Sequence, residues 1–316
     1  MSTLRVGIVG AGGSLGNRRA QFFTQNPDSE VVLCSSRKTE KARILAGKLG
    51  CRASESWRDL VQDDEVDAVC VSNANNLHPK ITRAALANGK HVLVEYPLCQ
   101  ELDEAKDLLA LAKSRRVILH QGFCVRGEPL YRAVRQNLEW LGPIASAHVT
   151  YFGGGHWDVR PENLGNPFLV LHTRFVDYFR GWFGEVKSIA AVVNVAEERD
   201  GLACSGAILI QHERCPAALI EFGMGFPCKP KFTMHILGGG GLIDVNDRVT
   251  LTSRGRTREL AQGKNTALKV DTDSFVAQVV NHAPPLRTWP DVMRTMKVSL
   301  DCERSSRTGQ RMCYCR

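Results

Sequence analysis

Strand-like and helix-like stretches alternate five times in the first 123 residues, and this alternation constrains the fold more than any other feature. Each strand-like stretch is short and apolar, and a longer stretch with helical periodicity follows it. Because parallel strands need long crossover connections that helices supply, the pattern predicts a doubly wound parallel sheet. The predicted strands cover residues 4–9, 30–34, 66–72, 91–95 and 117–122.

The pattern changes after Phe123. Further strand-like stretches follow one another between residues 143 and 253, most of them separated by turn signals rather than by helices. Consecutive strands of this kind predict a mostly antiparallel sheet. We therefore expect an α/β domain at residues 1–123 and an α+β domain for substrate binding at residues 124–316. Such a sheet also favours a homodimer.

Composition and charge exclude several classes of protein. The chain has 316 residues, 43% hydrophobic and 23% charged, which is typical of a globular protein. Without a membrane-length apolar run or a secretory pattern, we expect a cytoplasmic protein with no membrane partner. The net charge of +8 is spread along the chain, which disfavours nucleic acid and favours a small anionic ligand. The 11 cysteines lack metal-ligand spacing, so no metal site is expected.

A glycine-rich turn joins the first predicted strand to its helix. Glycines here let the backbone approach a pyrophosphate, and the helix N-terminus adds free N–H donors. The turn predicts a dinucleotide site of the Rossmann type; the alternative is a plain tight turn. A strict G-x-G-x-x-G motif would place its third glycine at Leu15, so Gly16 indicates a turn one residue longer. The expected cofactor contacts are Gly10, Gly12, Gly13, Ser14 and Leu15.

Polar residues follow the second and third predicted strands. Ser36 and Arg37 stand where an NAD site carries an acidic residue for the ribose, and a hydroxyl with an arginine accommodates a 2′-phosphate instead. They predict NADP(H) as the cofactor; the alternative is a solvated loop. Asn73, Asn75 and His78 follow the third strand and are expected to line the cofactor crevice. A histidine in this place can also serve only as a helix cap.

Glu95, Tyr96 and Pro97 end the fourth predicted strand, which is apolar up to that point. In an open α/β sheet the carboxyl ends of parallel strands face the ligand crevice. We therefore expect Glu95 to contact the cofactor and Tyr96 to act at the reacting centre; the alternative is a solvated strand end. His120 ends the fifth strand at the same edge and is a second catalytic candidate.

Several segments together resemble the Gfo/Idh/MocA oxidoreductase family. That family carries a Glu-Lys-Pro motif with a catalytic lysine, and Tyr96 stands at the lysine position here. Its second motif, Asp-x-Gly-x-His-x-x-Asp, falls on residues 170–177, so that Val170 replaces the first Asp and Arg174 replaces the His. The segments that carry the resemblance are residues 10–16, 75–78, 88–97, 238–244 and 305–309.

These substitutions predict the direction of the chemistry. Oxidising a sugar hydroxyl needs a group that takes up a proton, which lysine or histidine can do and arginine cannot. Tyr96 and Arg174 instead suit hydride addition to an unsaturated, anionic, conjugated substrate. Glu-Tyr-Pro with an arginine in the second motif resembles the biliverdin reductases of the family. The alternatives are an imine reductase, a sugar or cyclitol dehydrogenase, and an inactive dinucleotide sensor or scaffold.

Four further residues are candidates for substrate contacts in the second domain. Arg126 and Arg132 are suited to pairing with substrate carboxylates, or else they form exposed salt bridges. His172 is either a substrate contact or a buried, satisfied side chain. Trp157 lies in the glycine-rich loop of residues 153–157, which either covers a flat ligand or forms a surface turn.

Overall fold

Strands and helices alternate up to Gly122, as the sequence predicts. A computed structural model describes residues 3–154, 165–198 and 201–314. In chain order the first elements are β1 (Leu4–Val9), α1 (Ser14–Gln25), β2 (Ser29–Ser35), α2 (Thr39–Leu49), β3 (Arg52–Ser54), α3 (Trp57–Gln62), β4 (Ala68–Val71), α4 (His78–Ala87), β5 (His91–Glu95), α5 (Leu102–Arg115) and β6 (Leu119–Gly122).

These strands form a parallel sheet in the order β3-β2-β1-β4-β5-β6. All five predicted strands are present, which confirms the doubly wound parallel sheet. The sequence did not predict β3, because Arg52, Ala53 and Ser54 form a short strand without a buried apolar pattern. The strand order reverses between β1 and β4, and this reversal opens a crevice at the carboxyl ends of the strands.

The rest of the chain contributes mainly strands. It contains α6 (Pro129–Asn137), β7 (Ile144–Gly154), α7 (Pro167–Val170), α8 (Thr173–Phe183), β8 (Val186–Glu198), β9 (Gly201–His212), β10 (Ala218–Phe226), β11 (Lys231–Gly238), β12 (Gly241–Val245), β13 (Val249–Ser253), β14 (Arg256–Glu259), α9 (Ala267–Asn281), α10 (Trp289–Thr308) and β15 (Met312–Cys313).

The second sheet has the strand order β14-β13-β12-β11-β7-β10-β9-β8-β15. Within the described residues β7 and β10 pair in parallel and the other neighbours are antiparallel, which confirms the mostly antiparallel sheet. Alternation along the strands separates two faces. Ile189, Ile208 and Ile220 are fully buried on one face, whereas Val192 on the other is 78% exposed.

Two compact units divide the chain, and one of them is discontinuous in sequence. The first unit comprises Met1–Cys124 with Thr266–Thr288, and the second comprises Val125–Asn265 with Trp289–Arg316. The single boundary expected after residue 123 therefore does not account for α9, which belongs to the first unit. None of the helices in the described ranges has the length and apolarity to cross a bilayer.

The C-terminal end of α10 protects the edge of β8. Ser305 Oγ accepts a hydrogen bond from the backbone N–H of Ala191 at 3.1 Å, and Ser306 Oγ accepts one from Val193 at 2.9 Å. Strand edges with unpaired N–H groups invite pairing with other chains. The two serines of the 305–309 segment thus have a structural role.

Candidate functional site

The glycine turn after β1 is too tight for side chains. Gly10 has φ 96°, and a Cβ there would lie 2.5 Å from the Ser72 carbonyl group. A Cβ on Gly16 would lie 2.4 Å from the Gly10 oxygen. Gly16 therefore provides the close packing of helix on strand that the third glycine of the strict motif provides. The departure in spacing seen in the sequence has this structural reason.

The N-terminus of α1 is suited to an anion. Gly13 precedes the helix and has no side chain to cap it, and the first turn has no acidic residue. The amide of Asn17 donates to the Ala11 oxygen at 2.8 Å and holds the turn. The first N–H groups of a helix lack partners within the helix and carry the positive end of its dipole. The predicted contacts Ser14 and Leu15 lie at this end of the helix, which favours anionic groups such as a pyrophosphate.

Ser36, Arg37 and Lys41 lie near the glycine turn at the end of β2. A Cβ built on Gly12 would lie 2.6 Å from Ser36 Oγ and 3.0 Å from Lys41 Cδ. Gly12 therefore adjoins both Ser36 and Lys41. Arg37 is exposed in the same loop. Sequence reasoning missed Lys41 as a candidate because it lies in a helix. Its position in the first turn of α2, directly after the Ser36 loop, is the signal that would have found it.

The loop after β4 contains one unsatisfied polar atom. Asn73 Oδ1 is buried and accepts no hydrogen bond within the described residues. Buried polar atoms are normally paired, so this oxygen is suited to a donor on a bound ligand. Asn75 begins a short 3₁₀ turn in the same loop.

His78 is buried behind this loop and connects two backbone segments. Its Nδ1 lies 2.8 Å from the Pro97 oxygen, and its Nε2 lies 3.1 Å from the Asn73 oxygen. Burial lowers the pKa of His78, although both carbonyl groups favour the charged ring. This geometry gives His78 the role of holding the loop, and its predicted contact with the cofactor stays a prediction.

Glu95 belongs to a buried ionic network rather than to a solvated strand end. Arg19 Nε donates to Glu95 Oε1 at 2.6 Å, and Arg19 NH2 lies 2.7 Å from Asp271 Oδ2. Arg19 NH1 donates to Thr272 Oγ1 at 2.8 Å and to the Leu268 oxygen at 3.2 Å. Burial raises the pKa of Glu95, and the charge of Arg19 opposes that rise only in part. The sequence did not predict this network, because its members come from α1, β5 and α9.

His120 extends the same network. Its Nδ1 accepts a hydrogen bond from Gln278 Nε2 at 3.0 Å, and its Nε2 lies 3.0 Å from Asp271 Oδ1. Burial alone would raise the pKa of Asp271, but the His120 hydrogen bond and the Arg19 charge hold it below its usual range. With both ring nitrogens engaged and the residue 7% exposed, the geometry does not favour the catalytic role predicted for His120.

Tyr96 follows Glu95 at the carboxyl end of β5 and is partly exposed. Its ring packs edge-on against Phe123 with centroids 4.5 Å apart. The backbone is held on both sides, by the Arg19 bond to Glu95 and by the His78 contact with Pro97. Its phenol is thus carried by a rigid part of the first unit, at the edge of the sheet where ligands bind in such folds.

Arg174 lies near the start of α8 in the second unit and is 45% exposed. Its NH2 donates to Glu128 Oε2, and the guanidinium lies 3.3–3.4 Å from the Tyr178 hydroxyl, which also donates to Glu128. Burial tends to lower the pKa of Arg174, but Tyr178 and Glu128 outweigh it and raise that pKa. Burial also raises the pKa of the Tyr178 phenol. Arg174 therefore carries a permanent positive charge.

Arg126 is engaged within the second unit. It donates to both oxygens of Asp177 at 3.0 and 2.9 Å, and its NH1 lies 3.1 Å from Asp291. Asp177 is the last residue of the second family motif and is fully buried. These pairs favour the salt-bridge alternative for Arg126 over the predicted substrate contact. Arg132 is exposed on α6.

His172 is buried among aromatic rings. The Phe168 and Phe222 centroids lie 5.5 and 5.7 Å from its ring, and neither ring nitrogen makes a hydrogen bond of normal geometry within the described residues. Burial lowers the pKa of His172 to about 3, so the ring is neutral. The environment favours the buried alternative over a substrate contact. Trp157 lies outside the described residues. No group of three metal ligands occurs in the described part of the chain.

Proteins of known sequence are similar to this chain. A family model described as "Oxidoreductase family, NAD-binding Rossmann fold" matches residues 4–123. A dTDP-3,4-didehydro-2,6-dideoxy-alpha-D-glucose 3-reductase of Streptomyces antibioticus is 30% identical over 283 residues, which cover 88% of this chain and 86% of that protein. A 1,5-anhydro-D-fructose reductase of Ensifer adhaerens is 38% identical over 303 residues, covering 89% and 90%.

Solved structures share the fold. A biliverdin reductase from Synechocystis sp. PCC 6803, in complex with biliverdin and NADP+, aligns with a TM-score of 0.88 at 24% identity over 96% of this chain and 98% of its own. KijD10, a 3-ketoreductase from Actinomadura kijaniata with NADP, aligns with a TM-score of 0.85 at 22% identity over the same shares. These likenesses concern the fold.

Proposed function

Because the chain belongs to the Gfo/Idh/MocA family of NAD-binding oxidoreductases, we propose that it is an NADPH-dependent reductase of a conjugated, anionic, unsaturated compound. A linear tetrapyrrole of the biliverdin type is the first candidate substrate. One observation carries the proposal. At the position of the family's histidine, the chain has Arg174, which Glu128 and Tyr178 hold in its charged form.

A permanently charged arginine cannot accept a proton from a substrate hydroxyl. It can stabilise negative charge that develops on an unsaturated substrate during reduction. NADPH, when bound, supplies the hydride. Tyr96 then donates a hydrogen bond or a proton to the substrate, a role that the phenol takes over from the family's lysine.

The first unit fits the dinucleotide. A Cβ at Gly10 or Gly16 would collide with the protein's own backbone, so these glycines let the turn pack tightly ahead of α1, whose N-terminus favours an anion. Asn73 Oδ1 offers a buried acceptor. Ser36, Arg37 and Lys41 bring one hydroxyl and two cations to the loop after β2. A 2′-phosphate would pair with these groups, so we propose that NADPH is preferred to NADH.

A second candidate substrate is a keto-sugar. The relative with 38% identity over 303 residues is a 1,5-anhydro-D-fructose reductase, and a ketone is also reduced by hydride addition with proton donation. Tyr96 suits both reactions. An anionic tetrapyrrole makes more use of Arg174 and of the Glu-Tyr-Pro sequence.

Absorbance spectra of the full-length protein with NADPH separate these candidates. With biliverdin, the long-wavelength band should decline while a bilirubin-like band grows. With 1,5-anhydro-D-fructose, the nicotinamide absorbance measures the consumption of NADPH. If the protein reduces the sugar but not biliverdin, the keto-sugar and not the tetrapyrrole is the substrate. Oxidation of a sugar or cyclitol with NADP+ would contradict the reductive direction. NADPH binding without turnover of any substrate would indicate the sensor or scaffold alternative.

We further propose that the second sheet forms a homodimer through its exposed face. Val192, Leu209 and Leu237 project from this face and are 78%, 37% and 47% exposed. Exposed apolar patches of this kind commonly mark interfaces. Sedimentation should give a dimer for the wild type and a monomer for Val192→Glu. A monomeric wild-type protein would contradict the proposal.

A further inference from the structure

Two cysteines of the first unit lie close together beside the cofactor loop. Cys34 lies in β2. Cys51 directly precedes β3, and β3 pairs with β2. Their sulfur atoms are 3.7 Å apart. Cys34 is fully buried, whereas Cys51 is partly exposed. Neither thiol has a part in the proposed reaction.

The environment makes the two thiols unequal. The hydrogen bond between them, together with burial, raises the pKa of Cys34. The same hydrogen bond lowers the pKa of Cys51, and the charge of the adjacent Arg52 adds to this effect. A thiolate is the reactive form of cysteine. The partly exposed Cys51 is therefore suited to react with an oxidant, and the buried Cys34 is suited to resolve the product.

We propose that Cys34 and Cys51 are a redox modification site. A hydroperoxide oxidises the two thiols to a disulfide between them, and this disulfide weakens dinucleotide binding. The Cys51 thiolate attacks one oxygen of hydrogen peroxide, gives a sulfenic acid and releases hydroxide. The Cys34 sulfur then attacks the Cys51 sulfur, and the sulfenic oxygen leaves as water with the Cys34 proton. In total, two thiols are oxidised to one disulfide and one peroxide is reduced to two waters.

The disulfide requires movement of the two sulfur atoms, and one of them belongs to the strand that contacts the glycine turn. A disulfide bond is about 2.0 Å long, so the sulfur atoms must approach by roughly 1.7 Å. Ser35 follows Cys34, and its carbonyl oxygen accepts hydrogen bonds from Gly10 at 2.9 Å and from Ala11 at 3.1 Å. Ser36 then lies against Gly12. Any part of this approach that β2 takes up at Cys34 therefore reaches both the turn and the loop proposed to hold the 2′-phosphate.

Peptide mapping tests the disulfide without any cofactor. The full-length protein is treated with hydrogen peroxide, denatured, alkylated with iodoacetamide and digested with trypsin. Cleavage gives peptides 20–37 and 49–52, each with a single cysteine. We expect a linked pair of these peptides, lighter than their sum by two hydrogens, while the exposed Cys228 is recovered in alkylated form. Recovery of Cys34 and Cys51 as separate alkylated peptides after treatment would overturn the proposal.

NADPH titration by fluorescence tests the effect on binding, which rests on the dinucleotide part of the proposed function. Peroxide should raise the Kd of the wild type by about tenfold and leave Cys51→Ser unaffected. Cys228→Ser is the matched control and should keep the response. Cys51→Ser is chosen because Cys34→Ser would change a fully buried position. A response that persists in Cys51→Ser would overturn the link to binding. Failure of the reduced wild type to bind NADPH would instead contradict the proposed function. The disulfide itself would then be tested by the peptide map alone.

Discussion

Arg19 and Arg174 both pair with carboxylates, but they differ in exposure. The Arg19 side chain is fully buried, and its donors face Glu95, Asp271, Thr272 and the Leu268 oxygen. Arg174 is 45% exposed and shares one carboxylate, Glu128, with a tyrosine. The difference shows how burial divides the roles of the same side chain. The buried arginine connects α1, β5 and α9, whereas the partly exposed one leaves part of its guanidinium open to solvent.

The largest effect should come from removing the buried charge. Arg19→Met leaves Glu95 and Asp271 buried without their cation, which should cost about 3–5 kcal/mol of the free energy of unfolding. Urea denaturation measures the loss, and the exposed neighbour Arg18→Met is the matched control. A change equal to that of the control would contradict a structural role for Arg19. A triple variant that combines Arg19→Met with Glu95→Gln and Asp271→Asn should recover stability, because no unpaired carboxylate then stays buried.

Glu95 is buried and the next residue, Tyr96, is partly exposed, so the same contrast in exposure recurs at the end of β5. Tyr96→Phe removes the phenol and keeps the ring that packs on Phe123, so turnover should fall by about 100-fold with little loss of stability. Stopped-flow reduction under single-turnover conditions isolates the chemical step. Full turnover in that measurement would limit Tyr96 to packing or positioning.

His172, two residues before Arg174, is a buried group without the partners that Arg19 has. Its pKa is about 3 in the folded chain and about 6.5 in the unfolded chain. The unfolded state therefore binds a proton first as the pH falls, and folding stability declines from pH 6.5 downwards until the ring also titrates in the folded state. The loss due to His172 should be about 2 kcal/mol between pH 6.5 and 5. Denaturation of His172→Phe should show a stability profile flatter than the wild type by this amount. If the two proteins lose stability equally as the pH falls, His172 does not have the lowered pKa.

Arg174→Ala should affect catalysis more than stability, the reverse of the Arg19 variant. Loss of a charge-assisted contact should lower kcat/KM by about tenfold to thirtyfold. Arg135→Ala on the exposed side of α6 is the control. Arg174→Lys keeps the charge and loses the forked geometry, so an intermediate value is expected. If Arg174→Ala mainly unfolds the protein, the distinction between the two arginines fails.

The smallest effect should come from Arg37, which is exposed in the loop after β2. Arg37→Ala should weaken NADPH binding by about tenfold and NADH binding much less, because only NADPH carries the 2′-phosphate. Arg43→Ala on the surface of α2 serves as the control, and isothermal titration gives both affinities. Equal affinity of the wild type for the two cofactors would disprove the preference.

The sequence predicted what depends on local pattern. Strand periodicity and turn glycines fix β1 and the Gly10 turn within a few residues, so both were predicted correctly. The partners of Arg19 could not be predicted, because Asp271 lies 252 positions away in a helix whose periodicity does not show which unit it joins. The same limit applies to Glu95 and His120: their places at strand ends were visible, but the burial that engages them comes from α9. Lys41 was missed for the opposite reason, since a basic residue in a helix has a common surface role.

The return of α9 to the first unit affects the order in which the chain can mature on the ribosome. The sheet of β1 to β6 is synthesised first, yet the carboxylate of Asp271 and the hydroxyl of Thr272 emerge after nearly the whole second sheet. Until then Arg19 has Glu95 as its carboxylate partner within the network. The nucleotide-binding half thus completes its interior late in translation, and any fragment that isolates it must carry residues 266–288 as well as residues 1–124.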